Sequence, residues 1–183
     1  MKRSDCLALK VNSRGRNASI KAPMFIVRSN VIESFEYQTP IANARSFFSH
    51  GANYIGVMPN LESIHTDERG VTRWNIAVEV PLIGRWKMPF AVDFLSADDI
   101  IEWYPAGIEK LNFLRCVTEL SPQSETSTMV RITHNLELRR KHATELHALA
   151  GLAGERMISR EMESEVTRML KVFMVRAKEK LEN

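Results

Sequence analysis

The stretch "TPIANARSFFSHGANYIGVMPNLESI", residues 39–64, changes its hydrophobic period twice, and that change decides the fold. Just before it, "SFEYQ" (34–38) alternates apolar and polar residues as a half-buried strand does. Inside it, Ile41, Ala44, Phe47, Phe48, Ile55 and Met58 recur at helical spacing, and after Pro59-Asn60 the alternation resumes. A short amphipathic helix set between the first two strands of a strand-rich chain has one evident use. It closes an end of a sheet whose apolar face needs a cover.

Working outward, "VIESFEYQ" (31–38) reads as the first strand. Thr39 is expected to cap the helix, with Pro40 at its first position, where a missing N–H costs nothing. Gly51 and Gly56 predict that this helix is broken or is a pair of short ones. Next, "LESIHTDERGVTRWNIAVEV" (61–80) is a hairpin turned by Glu68-Arg69-Gly70, with Trp74, Ile76, Val78 and Val80 sharing one face of its second arm. In "RWKMPFAVDFL" (85–95), Trp86, Met88, Phe90, Val92 and Phe94 point one way, while Pro89 withholds a ladder donor and marks a bulge or an edge. Strands follow at "DIIEWYP" (99–105), "LNFLRCVTEL" (111–120) and "TSTMVRITHNLEL" (126–138). That makes about seven strands, of which the last six pair as an antiparallel meander.

The chain closes on a helix read from about Glu155 to Leu181. Ile158, Met162, Val166, Met169, Leu170, Phe173 and Ala177 trace one apolar stripe along it at steps of three or four. Glutamates crowd its first half and lysines and Arg176 its second, which complements the helix dipole. The glycines of "HALAGLAGERM" (147–157) read as the hinge into this helix, and as a lid over a cavity mouth.

In its order of elements, residues 31–182 resemble the helix-grip fold of the START/polyketide-cyclase superfamily, also called SRPBCC. "FEYQTPIANARSFF" is similar to that family's strand, small-residue–Pro and helix opening, and "YIGVMPNLESI" to its approach to the second strand. "GLAGERMISREMESEVTRMLKVFMVRAKEKLE" is similar to its closing helix. The resemblance implies an α+β helix-grip fold: a curved antiparallel sheet of about seven strands around a long C-terminal helix, with a short helix pair after the first strand. It further implies an apolar cavity for a lipid, quinone or polyketide-like molecule, and its relatives include non-catalytic carriers as well as polyketide aromatase/cyclases.

Length and composition agree with one globular domain: 183 residues, 44% hydrophobic and 26% charged, with no apolar run approaching a membrane span. Without an apolar signal segment and with only Cys6 and Cys116, the chain reads as cytoplasmic with reduced thiols. Net charge is +3, but residues 1–30 hold seven basic groups against Asp5, or +6, which leaves −3 for the rest. Residues 1–19 therefore read as a flexible basic arm preceding a single domain at 20–183. The arm offers weak contact with an anionic surface, and no specific nucleic-acid partner is expected because no basic face extends it.

The residues expected to line a ligand space are Trp74, Trp86, Met88, Phe90, Trp103 and Phe113 from the strands, with Met162, Val166, Met169 and Phe173 from the helix stripe. The competing reading is that all of them pack as an ordinary core. His134 shares parity with Val130, Ile132, Leu136 and Leu138, so it faces inward, either as a ligand contact or general acid/base or as a histidine satisfied by a neighbour. Tyr54, Tyr104 and Arg115 are its candidate company. Cys116 reads as a buried inert thiol. His142, Glu145 and His147 lack the i, i+4 histidine spacing of a zinc helix, so no metal site and no cofactor are expected. Phosphate loops, nucleophile elbows and paired-cysteine motifs are absent as well. This scarcity of chemistry favours binding of a hydrophobic small molecule, over a cyclase-type enzyme and over a protein- or membrane-docking module.

Overall fold

The computed structural model describes residues 24–80, 84–146 and 150–182. The basic arm, Cys6, His147 and the segment 81–83 lie outside the described residues. Strand β1 (Phe25–Tyr37) is followed by helix α1 (Ile41–Ser49) and a 3-10 turn at Gly51–Tyr54. Strands β2 (Leu61–Thr66), β3 (Thr72–Val80), β4 (Gly84–Ala97), β5 (Ile100–Pro105), β6 (Asn112–Pro122) and β7 (Thr128–Arg140) come next, and helix α2 (Ala150–Leu181) ends the chain. The seven strands form one sheet in the order β1-β7-β6-β5-β4-β3-β2, antiparallel throughout. The meander of β2 to β7 is as expected. β1 joins it by returning to the edge of β7.

Strand β1 starts at Phe25, six residues before the expected Val31, because Val27 and Ser29 continue the inward alternation. The helix pair is also as expected, broken where His50 turns extended (φ −106°, ψ 106°). Thr39, however, does not cap it. Pro40 occupies the capping position, its carbonyl accepts the N–H groups of Asn43 and Ala44, and no side chain caps. Thr39 is instead buried, with its carbonyl taking the Thr128 hydroxyl at 2.8 Å.

Pro89 is neither in an edge strand nor at a bulge, since β4 lies between β3 and β5 and Pro89 pairs in register with Asn75. Yet β5 stops at Pro105, opposite Val92, so β4 has no strand partner at Pro89 on that side. The loop before β6 fills the gap: Asn112 Nδ2 donates to the Pro89 carbonyl at 2.8 Å. The Glu109 carboxylate holds that loop by accepting the N–H groups of Lys110, Leu111 and Asn112. A strand interior to the sheet tolerates proline here because it is locally an edge.

α2 packs on β1 and also on β3, which stand far apart in the strand order, so the sheet curls around the helix. The stripe Ile158, Met162, Val166, Met169, Leu170, Phe173, Met174 and Ala177 is buried as one core with the inner faces of the strands. Side chains of α2 and of Glu182 just beyond it also reach the two ends of the free edge of β1. Ile26 N–H donates to the Glu155 carboxylate (2.8 Å), Arg28 N–H to Ser159 Oγ (3.1 Å) and Gln38 N–H to the Glu182 carboxylate (2.7 Å). The match is metrical: strand 26–38 and helix 155–182 both span about 40 Å at ordinary rises per residue. The two ends of an edge that would otherwise recruit another strand are thus tied to the helix. Within α2, Gly154 takes φ 75° and ψ 160°, a conformation for glycine alone, so the long helix proper begins at Glu155.

Candidate functional site

Register places the interior chemistry. Val31 on β1, His134 on β7, Cys116 on β6, Trp103 on β5 and Phe94 on β4 pair in one rank across the sheet. One step along β6 from Cys116 on the same face is Thr118, paired with Ile132 and Ile101. One step along β1 from Val31 is Ser29, paired with Leu136. Over this face stands Tyr54 from the 3-10 turn, its ring 5.1 Å from Phe173 of α2 and 5.4 Å from Trp74, which in turn lies 5.4 Å from Trp103. The short helix pair and α2 therefore meet directly above the middle of the sheet.

Several polar atoms of this patch are buried without a hydrogen-bond partner: Trp74 Nε1, Trp103 Nε1, Thr118 Oγ1, Ser29 Oγ and His134 Nδ1. Their residues are 1–5% exposed. The Tyr54 hydroxyl donates to the Phe48 carbonyl at 2.7 Å. The Trp103 indole and the Thr118 hydroxyl are directed at its oxygen, the acceptor within reach of both, outside ideal hydrogen-bond geometry. Buried polar groups are ordinarily paired, and each orphan costs about 1–3 kcal/mol. Such a concentration on one face is the feature of the interior that packing alone does not explain.

The electrostatics are those of a dry, uncharged interior. Burial lowers the pKa of His134 to about 4, so its imidazole is neutral. Burial likewise pushes the Cys116 thiol up to about 12. His134 and Cys116 are cross-strand neighbours, but neither carries charge near pH 7, and a thiolate–imidazolium pair does not form. Burial, and then the nearby Cys116, raise the Tyr54 phenol as well. Among the described residues no Lys, Arg, Asp or Glu is buried.

The structure brings Trp74, Met88, Phe90, Trp103, Met162, Val166, Met169 and Phe173 into one buried core, and His134 is buried as well. Trp86 packs against it half-buried. Phe113 corrects the expectation. It lies half-buried on the convex face, with the Arg139 guanidinium 4.1 Å above its ring, because inward parity on β6 belongs to Leu114, Cys116 and Thr118. Tyr104 and Arg115 also face outward, the latter bonded to Glu102 at 2.6 Å, so of the three companions considered for His134 only Tyr54 is inside. Thr118 and Ser29 were missed, although each shares parity with apolar neighbours and could have been read from that alone.

Grooves among the described residues lie elsewhere. One of about 900 Å³ flanks α2 beside Arg28, Ser159 and Lys171, and one of about 350 Å³ runs from Phe113, Arg115 and Asn135 to Ser29 and to Glu163 of α2. Both are open to solvent, and of the residues expected at the site the second contains Phe113 and Arg115. Among the described residues no helix is long and apolar enough to cross a membrane.

No known protein-family profile matches the chain, and no curated protein matches it. Solved structures do. A START superfamily protein from Mycobacterium smegmatis superposes at a TM-score of 0.57 with 12% identity, over 84% of this chain and 97% of that one. The fold is START-like, a helix grip. A conserved protein from Geobacillus kaustophilus matches at 0.59 and 11% identity, over 85% of this chain and 95% of its own. An aromatase/cyclase from a Streptomyces species matches at 0.57 and 13% identity, over 82% and 94%. At these identities the likeness is one of fold.

Proposed function

We propose that this START-like chain binds a hydrophobic small molecule between the concave face of its sheet and α2, and that it acts as a carrier or sensor. The observation that supports this is the set of buried polar atoms without a well-formed hydrogen bond on Trp74, Trp103, Thr118 and His134, within an otherwise apolar, aromatic interior. A finished core has no use for them, whereas a ligand with a polar end and an apolar body satisfies them and displaces the surrounding side chains. Met88, Met162 and Met169 supply the adjustable wall that such displacement needs. Binding is preferred to catalysis because His134 is the one interior group whose ordinary pKa lies near neutrality, and burial holds it unprotonated.

The test is a titration of purified protein with an apolar fluorescent probe, together with native mass spectrometry for a copurified molecule. Saturable probe binding is expected, and Met169→Trp on the buried stripe should block it while the protein stays folded. If the interior is a closed core, no saturable binding occurs and the added indole overpacks it by about 1–3 kcal/mol.

A further inference from the structure

The large groove beside α2 takes no part in the interior, and its chemistry is of another kind. It is lined along α2 from Glu155 to Val172. The bonds from Ile26 to Glu155 and from Arg28 to Ser159, with the Glu33–Lys171 ion pair at 3.6 Å, set it beside the first half of β1. Five cations line it: Arg28, Arg156, Arg160, Arg168 and Lys171. Two carboxylates accompany them, and one of these, Glu155, is engaged by the Ile26 N–H. Arg156 and Arg160 are exposed, one turn apart on α2, and have no ion-pair or hydrogen-bond partner among the described residues. Like charges at that spacing repel, so the pair weakens the helix that carries it.

The backbone of β1 supplies the second element. Alternate residues of the strand turn their N–H and C=O groups to β7 and to the open side. Ile26, Arg28 and Gln38 give their N–H groups to side chains on the open side, so the even residues face that way. Between those ties, Asn30, Ile32, Ser34 and Glu36 keep the same parity in an unbroken register. Their outward peptide groups have no partner among the described residues. The two acids of this stretch are engaged, Glu33 by Lys171 and Glu36 by the Ser127 hydroxyl, and Ile32 is exposed. Residues 30–36 thus present a bare edge about 20 Å long next to a basic groove.

We propose that β1 and this flank of α2 form a docking surface for an extended, acidic segment of a partner protein. The segment adds to the sheet at residues 30–36 and continues past Arg28 along Arg160 and Arg156. An acidic helix or a nucleic-acid backbone answers the cations and leaves the peptide edge bare, whereas an extended acidic chain answers both. Antiparallel addition fixes which side chains go where. Residues that bond to the even positions of β1 share their convex face, so the intervening side chains turn to α2 and carry the carboxylates.

Fluorescence anisotropy on the full chain tests this with a labelled peptide of about twelve residues that alternates valine and glutamate. Saturable binding is expected, weakening as salt is raised, and none is expected for the valine–lysine analogue. N-methylation of the valines should abolish binding, while N-methylation of the glutamates should leave it within about threefold. Arg156→Glu with Arg160→Glu should weaken binding about tenfold. Ile32→Pro should do the same with an unchanged urea midpoint, since an edge strand tolerates a proline whose nitrogen faces outward. Equal effects of the two methylations overturn the proposal, as does failure of the peptide to bind. Tighter binding of oligothymidylate or of phosphatidylserine vesicles, indifferent to Ile32→Pro, also overturns it and marks the groove as a site for polyanions.

Discussion

Replacing Thr118 by valine asks whether the interior is built for its own stability or for a guest. Thr118 is 1% exposed, and its Oγ1 has no hydrogen-bond partner. Valine has nearly the same shape, so no cavity opens and no atom is crowded. What changes is one buried, unpaired hydroxyl. Leaving such a group unsatisfied costs about 1–3 kcal/mol, and the exchange also gains the burial of a methyl. Ligand-free Thr118→Val is therefore expected to be more stable than the parent by about 1–2 kcal/mol. Most buried substitutions go the other way, by about 1 kcal/mol. Urea denaturation followed by tryptophan fluorescence reads the difference as a shift of midpoint at unchanged slope. A loss of 1 kcal/mol or more refutes the reasoning. It means that the hydroxyl is paired in solution, with Tyr54 or a bound water, and that the orphan cluster is not a vacancy for a ligand.

Acid should act through His134. Its folded pKa of about 4 lies below the ordinary 6.5, so between those values the unfolded chain takes up a proton that the folded chain refuses. Stability then falls as pH drops from about 6.5 to about 4, by roughly 3 kcal/mol at most, and is flat above that window; urea midpoints at several pH values for the parent and His134→Gln check this, since the variant should lose that part of the slope. Gly154→Ala should cost about 1–3 kcal/mol, because φ 75° with ψ 160° excludes a β-carbon although nothing lies within 4 Å of the position it would take. Gly151→Ala, three residues earlier in α2, is the contrasting control and should be neutral or stabilising by up to about 1 kcal/mol in the same denaturation assay.

The alternation of apolar residues made the sheet legible, because period two survives whatever a strand pairs with. Trp74, Met88, Phe90 and His134 could be placed inside on parity alone. Phe113 could not. Its size argued for the interior, while the parity of Leu114 and Cys116 argued against, and parity prevailed because a strand cannot turn one residue over without turning its neighbours. The role of Thr39 was equally hidden. A threonine before a proline and a helix has the composition of a cap, but the Thr128 hydroxyl that holds its carbonyl lies 89 residues away. Pro89 shows the same limit, since the loop that makes it tolerable is fixed by Glu109 and Asn112, neither of which has any local signature. Thr118 and Ser29 were overlooked for a different reason. Small hydroxyl residues on an apolar face read as filler until their missing partners are counted.

That count bears on the proposal that this interior holds a molecule and does not transform it. An enzyme that moves protons needs a group able to change charge at working pH without great cost, and burial has removed that capacity from each titratable neighbour. His134 is held neutral down to about pH 4 and Cys116 is protonated up to about pH 12. Tyr54 is displaced upward from its ordinary value for the same reason. What remains is a set of fixed dipoles, indoles, hydroxyls and an imidazole set among the apolar side chains of the sheet and of α2. Fixed dipoles discriminate well between guests, because an analogue lacking the acceptor leaves them unpaired. In the proposed carrier, the burial that takes charge away from His134 is thus also what lets fixed dipoles select.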